Sequence, residues 1–387
     1  MRYPVITASL LTLASYYAVL AKAAACECGY TVNKTSDRHF ALFTDYMEHD
    51  WFHPDLSGEG RPEGWSWNVE HYITSAKQNR GRYATWKQVE SVAQNHLPEG
   101  EWDGEPLLGR DPGMQFWVAH ELEDDRVVIA ESASPRIDIL YGTFRAAIKF
   151  TGVNGTCGAF FWYRNDTQEI DMEFLSKDPK TLNLVVHSSE SDKASSIMGS
   201  GALGVLDASE SNMPWESPFD LPQDFHEYRF DWMPDRIDFY VDGSLVRTTT
   251  ENLPESPGHL MLSHWSNGDP NWSGGPPMEN AVMTVGYVKA YFNTTASRDN
   301  PKVECSKLDP FALCVVPDVT SPPFSKGKKT HFYSISDKDD IEKDTTFVGS
   351  GSNPRLDHDS AATFGFDLSS LIWYFVGAVS CVVYCLA

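Results

Sequence analysis

The chain has 387 residues, 41% of them apolar and 22% charged, which excludes a disordered chain and a small disulfide-stapled module. A formal charge of −23 argues against nucleic acid or an anionic lipid surface as a partner. The 12 Trp, 16 Tyr and 21 Phe, set among 27 Gly and 23 Pro, point to a β-rich fold with many turns.

Residues 1–25 carry Arg2, an apolar run and the small-residue stretch Ala23 to Ala25. They read as a secretory signal peptide, since Thr and Ser break the apolar run and it ends in that cleavage-like stretch. The main domain is expected over 26–316. Within it, Thr85 to Asn95 is the best candidate for a helix. Segments 142–150, 228–232, 236–243 and 283–292 alternate with the period of two of half-buried strands. Asp242-Gly243 is a hairpin-turn signal. Two stacked antiparallel sheets would bury this many strands.

Residues 317–360 are rich in Ser, Thr, Lys, Asp and Pro, lack an apolar pattern, and read as a flexible polar stalk. The last 17 residues, Leu371 to Ala387, are almost wholly apolar with no Lys or Arg after them. Together with Ser360, Ala361 and Ala362 and a short spacer they form the pattern of a GPI signal, so 361–387 is expected to be a propeptide and Ser360 the attachment site. A plain tail anchor is the alternative. On either reading the domain faces the exterior, at the cell surface or cell wall, and any contact with membrane is through the anchor.

After both cleavages five cysteines remain: Cys26, Cys28, Cys157, Cys305 and Cys314. In an oxidising compartment they should pair where geometry allows, with one left over. Cys157, in a strand-like apolar run, is the expected buried free thiol. The other four allow three connectivities. Their spacing matches no zinc site, and neither a metal nor another cofactor is expected. Sequons at Asn33, Asn154, Asn165, Asn271 and Asn293 fit secretion and predict loops or exposed strand ends.

The chemistry concentrates at 168–175. Glu169, Asp171 and Glu173 alternate with Ile170, Met172 and Phe174. In a strand the apolar trio enters the core and the three carboxylates stand in a row on the other face. Carboxylates this close cannot all ionise freely, and at least one should hold a proton near neutral pH. One ionised and one protonated carboxyl on one surface is the equipment of retaining glycoside hydrolysis. The backbone span from Glu169 to Glu173 is about 13 Å, whereas retaining carboxyl groups stand ~5–5.5 Å apart. Inward-leaning side chains could close the gap, and the pairs Glu169/Asp171 and Asp171/Glu173 stay open. Aromatics at 160–163 and at Trp265 and Trp272 offer faces for sugar rings.

The run from Glu169 to Leu175 resembles the signature of glycoside hydrolase family 16, in its regular-strand form with acids at alternate positions. Blocks at 141–149, 225–232 and 237–243 occur in the family's order around it. The resemblance implies an all-β, concanavalin-like jelly-roll sandwich of two antiparallel sheets with a concave cleft, acting on β-glucans. It implies that Glu169 is the nucleophile, Glu173 the acid/base, and Asp171 the group that tunes Glu169. It further implies sugar contacts from Phe161, Tyr163, Trp265, Trp272, His187 and Glu131. His264 is an additional candidate, and Trp162 replaces Phe161 and Tyr163 if the hairpin register is shifted. With the GPI signal, the whole is similar to fungal cell-wall remodelling proteins. The expected activity is an endo-β-1,3(4)-glucanase working by double displacement. A transglycosylase of the same family and a non-catalytic glucan-binding lectin are the alternatives.

Overall fold

A computed structural model describes residues 29–32, 42–53, 67–98, 106, 110–187, 212–296, 313–316 and 318–319. The signal segment, most of the stalk, the C-terminal tail with Ser360, and Asn33, Cys26, Cys28 and Cys305 lie outside the described residues.

The described residues form twenty strands. They are β1 (Gly29–Thr31), β2 (Asp45–Asp50), β3 (Asn68–Val69), β4 (Ile73–Thr74), β5 (Ala84–Lys87), β6 (Val92–Asn95), β7 (Gly113–Val118), β8 (Leu122–Glu123), β9 (Arg126–Ala133) and β10 (Ile139–Lys149). The series continues with β11 (Cys157–Asn165), β12 (Gln168–Leu175), β13 (Thr181–His187), β14 (Asn212–Glu216), β15 (His226–Trp232), β16 (Ile237–Val241), β17 (Ser244–Thr249), β18 (His259–Trp265), β19 (Ala281–Thr294) and β20 (Leu313–Val315). One sheet runs β17-β16-β15-β10-β19-β7-β6, with β2 also on β19. The other runs β14-β13-β12-β11-β18-β9-β5-β4, with β3 and β8 on β9. β1 and β20 form a separate two-stranded ribbon.

The two large sheets pack face to face, which is the sandwich the alternating segments demanded. Phe144, Ile148, Phe230 and Phe239 of one sheet meet Phe160, Trp162, Met172 and Leu260 of the other in one apolar cluster. Aromatic pairs span the layers, with Trp162 and Trp232 centroids 4.4 Å apart and Phe150 stacked on Phe174 at 4.8 Å. The Asp-Gly signal closes the β16–β17 hairpin, where Asp242 and Gly243 take φ of 46° and 71°. Two successive positive φ values are the demand of a tight hairpin turn.

Three expectations change. Thr85 to Asn95 is no helix: it splits into β5, one 3-10 turn at Val89–Ser91, and β6. β5 joins β9 in one sheet, and β6 joins β7 in the other. A segment that supplies edges to both layers must stay extended, and Thr85, Trp86, Val89 and Val92 favour that. Secondly, not every pairing is antiparallel. β5 runs parallel to β9, and β1 parallel to β20. Neither pair is joined by a hairpin, so no turn forces the strands to run opposite ways. Thirdly, Asn293 lies at the end of β19 but is half-buried, and its Nδ2 donates to the Leu42 carbonyl at 2.8 Å. Asn154, Asn165 and Asn271 are exposed, as sequons should be.

Cys157 is free and buried, and Cys314 is disulfide-bonded. Since Cys157 is free, the partner of Cys314 lies outside the described residues.

Candidate active site

The site is built on β12. Ile170, Met172 and Phe174 are 0%, 0% and 1% exposed and belong to the central cluster, so the three acids turn to the opposite face. Strand register then writes the surface around them as three rows. Glu169 stands between Tyr163 of β11 and His187 of β13, with His259 of β18 beyond Tyr163. Asp171 stands between Phe161 and Val185, with Met261 and Ala133 beyond. Glu173 stands between Ala159 and Asn183, and the row continues through Ser263 to Glu131 of β9.

This register decides between the aromatics. Phe161 and Tyr163 face the acids, while Trp162 is fully buried in the core and donates Nε1–H to the Ile139 carbonyl at 3.3 Å. Trp265 shares the acid-bearing face, half-buried at the end of the sheet against Val127 and Ile129. Trp272 lies off the sheet, half-buried in the loop after β18. That loop is tied to the turn after β12, because Lys177 Nζ donates to the Asn271 carbonyl at 2.6 Å and the Pro270 carbonyl at 3.3 Å.

His264 does not join the site. It points into the core, with Nδ1 2.8 Å from the Phe116 carbonyl and Nε2 3.0 Å from Thr156 Oγ1. Burial lowers its pKa to about 4, so it serves as a neutral bridge between the sheets. Its neighbour Trp265 faces the other way, as adjacent strand residues must.

The acids form an unequal set. Glu169, Asp171 and His187 bring oxygen and nitrogen atoms within 4.8 Å of one another. Burial raises the Glu169 pKa to about 8, assisted by the charge of Glu173 and opposed by a hydrogen bond from Asp171. Asp171 is pushed well above the usual carboxylate range by burial, then by the charges of Glu169 and Glu173. The hydrogen bond between the two carboxyls works in opposite directions, lowering Glu169 and raising Asp171. Burial raises Glu173 to about 7, opposed by a hydrogen bond from the Cys157 thiol. A proton is thus held within the triplet near neutral pH, as crowding requires.

Glu131 is present at the far end of the Glu173 row with partners of its own. Oε2 accepts from Ser263 Oγ at 2.9 Å and Oε1 from Tyr72 Oη at 3.1 Å, while Lys87 Nζ lies 3.6 Å from Oε1 and 4.1 Å from the Tyr72 ring centre. Tyr72, Lys87, Ser263 and His259 escaped the reading of the sequence. Ser263 and His259 were within reach of it, since positions 259, 261, 263 and 265 share one face of a strand. Tyr72 flanks a strand of two residues and offers no periodicity.

Residues 119–289 match the model of glycosyl hydrolases family 16. A β-glucanase of Acetivibrio thermocellus is 33% identical over 168 residues, covering 42% of this chain and 45% of that protein. Congo red hypersensitive protein 1 of Saccharomyces cerevisiae is 28% identical over 206 residues, covering 50% of this chain and 36% of that protein. The chain spans about half the length, or less, of these curated relatives. Among solved structures, the Bacillus licheniformis β-glucanase superposes with a TM-score of 0.47 at 19% identity, covering 64% of this chain and 98% of that one.

Proposed function

We propose that the chain is a retaining glycosidase of β-glucans, acting by double displacement as an endo-β-1,3(4)-glucanase. The observation that carries this is the unequal triplet on one face of β12. Glu169 shares a hydrogen bond with Asp171, whose carboxyl burial pushes well above the usual range, while Glu173 titrates near neutrality two residues beyond Asp171. In this reading Glu173 gives its proton to the glycosidic oxygen as Glu169 attacks the anomeric carbon. The departing sugar leaves a covalent glycosyl ester on Glu169. Glu173, now a carboxylate, takes a proton from water, which hydrolyses the ester. Asp171 stabilises the Glu169 carboxylate when it leaves again. Phe161 and Tyr163 line the strand beside the acids and offer ring faces to sugar C–H groups.

Incubation with defined β-glucan oligosaccharides, with products sized by mass, tests the reading. Shorter products are expected. Products longer than the donor would move the assignment to a transglycosylase, and an unchanged donor that still binds would make the chain a lectin.

We also infer that the protein acts outside the cell, held by a lipid anchor. The leader-like residues 1–25, the apolar tail after Ser360 and the disulfide at Cys314 support this. Phosphatidylinositol-specific lipase should release it from membranes, and retention with residues 371–387 still attached would favour a tail anchor.

A further inference from the structure

The two glutamates of the site are held by different chemistry. Glu169 is served by a carboxyl, but Glu173 is not. Among the described residues, the hydrogen-bond partner of the Glu173 carboxyl is the thiol of Cys157, with Sγ 3.5 Å from Oε1. Cys157 opens β11, between Leu175 of β12 and Trp265 of β18. The alternation that turns Ala159, Phe161 and Tyr163 toward the acids turns Cys157 with them. It is fully buried and forms no disulfide.

We propose that Cys157 is a positioning residue for Glu173: its S–H donates to Oε1, fixes the plane of the carboxyl and leaves Oε2 to carry the catalytic proton. The inference rests on reading Glu173 as the acid/base. That role makes Glu173 pass through a carboxylate in every cycle, in a place where burial penalises the charge. A donor on one oxygen eases that state without competing for the other. A thiol suits the task because it is a weak donor, enough to offset part of the burial and too weak to hold the acid permanently ionised. Burial, then the neighbouring Glu173, pushes the thiol's own pKa well up, so it stays a neutral donor.

The titratable groups sharing this face are Glu169 and Asp171 on β12, Tyr163 on β11, His259 on β18, Glu131 on β9 and His187 on β13, with Lys87 of β5 and Tyr72 set against Glu131. None of these groups is itself altered by a substitution at Cys157, so the donor-free and donor-bearing variants differ in the group they offer to Glu173 Oε1.

The test compares pH profiles of kcat/KM on a β-glucan oligosaccharide for the full chain and its Cys157→Val, Cys157→Ala and Cys157→Ser variants. The alkaline limb reports loss of the acid's proton. Removing the donor in Cys157→Val should raise that limb by about half to one pH unit, with Cys157→Ala a second donor-free variant should valine disturb packing. Cys157→Ser keeps a donor and strengthens it, so the limb should move the opposite way. Shifts of one sign in all variants, or none, would overturn the inference, because a packing role has no reason to distinguish donor from non-donor. Infrared titration of the Glu173 carboxyl, isolated by difference against Glu173→Gln, reads the same pKa without turnover. Opposite infrared shifts in a chain inactive on every glucan would overturn the enzymatic reading and leave the thiol–carboxyl pairing standing. Turnover with an unmoved alkaline limb would do the reverse.

Discussion

Glu169→Ala should reduce turnover by about 10⁴-fold or more, the largest loss expected of any single substitution in this chain. The side chain removed is the one that must bond to the anomeric carbon, and neither neighbour can replace it. Asp171 is shorter by one methylene and lies deeper, 5% exposed, with its carboxyl pushed well above the usual carboxylate range by burial, and His187 stands on the far side of Glu169, on β13. The space left by the glutamate would admit a small anion. Azide or formate should therefore restore part of the activity, giving a product of inverted anomeric configuration, because the anion attacks once and no enzyme ester follows. Rates like those of the wild type would overturn the assignment of Glu169 as the nucleophile.

Glu173→Ala should produce a different defect. Substrates with poor leaving groups should slow by about 10²–10⁴-fold, while activated aryl glycosides should still form the glycosyl ester, which then accumulates. Azide should intercept that ester and yield a product of retained configuration. Stability should change in the opposite sense to activity. The folded-state pKa of Glu173 is raised from 4.5 to about 7. Its contribution to stability is therefore fully present below pH 4.5 and is lost as pH rises through 7. At pH 8 the isosteric Glu173→Gln should be more resistant to urea than the wild type, by on the order of 3 kcal/mol, and at pH 4 the two should be alike. Equal stability at both pH values would mean that Glu173 is not held in the desolvated place described.

The sequence disclosed what depends on short-range alternation. Ile170, Met172 and Phe174 against Glu169, Asp171 and Glu173 is a period of two, and one strand suffices to turn the trio inward. The β16–β17 hairpin was legible for the same reason, since Asp242-Gly243 carries its own geometry. What stayed hidden depended on which strands pair. Phe161 and Trp162 were interchangeable until register with Ile170 and Asp171 was fixed. Lys87 seemed part of a helix, and its place beside Glu131, 44 positions away along the chain, rests on β5 lying next to β9.

The outward row of the other sheet is the clearest case. Arg229, Arg145, Lys289 and Glu48 are cross-strand neighbours, and alternation alone marks them as solvated. In the fold Arg145 and Lys289 are 0% exposed, and Arg229 clasps Asp231 with Nε 2.8 Å from Oδ1 while lying 4.2 Å from the Tyr240 ring centre. No local pattern distinguishes a polar face that meets water from one that is covered.

The ribbon of β1 and β20 has a mechanical consequence. Gly29, Tyr30 and Thr31 pair with Leu313, Cys314 and Val315 in the same direction, and Val316 N–H closes on the Thr31 carbonyl at 2.7 Å. The chain enters this ribbon at one end and leaves it at the other. Tension drawn through both flanks therefore slides the two strands along each other and loads their hydrogen bonds in shear, all together. Two antiparallel strands in the same place would part like a zipper, one bond at a time. The ribbon joins the first and last described strands of the chain, so a pull on both flanks reaches this short clasp before it reaches β12 and the acids it carries.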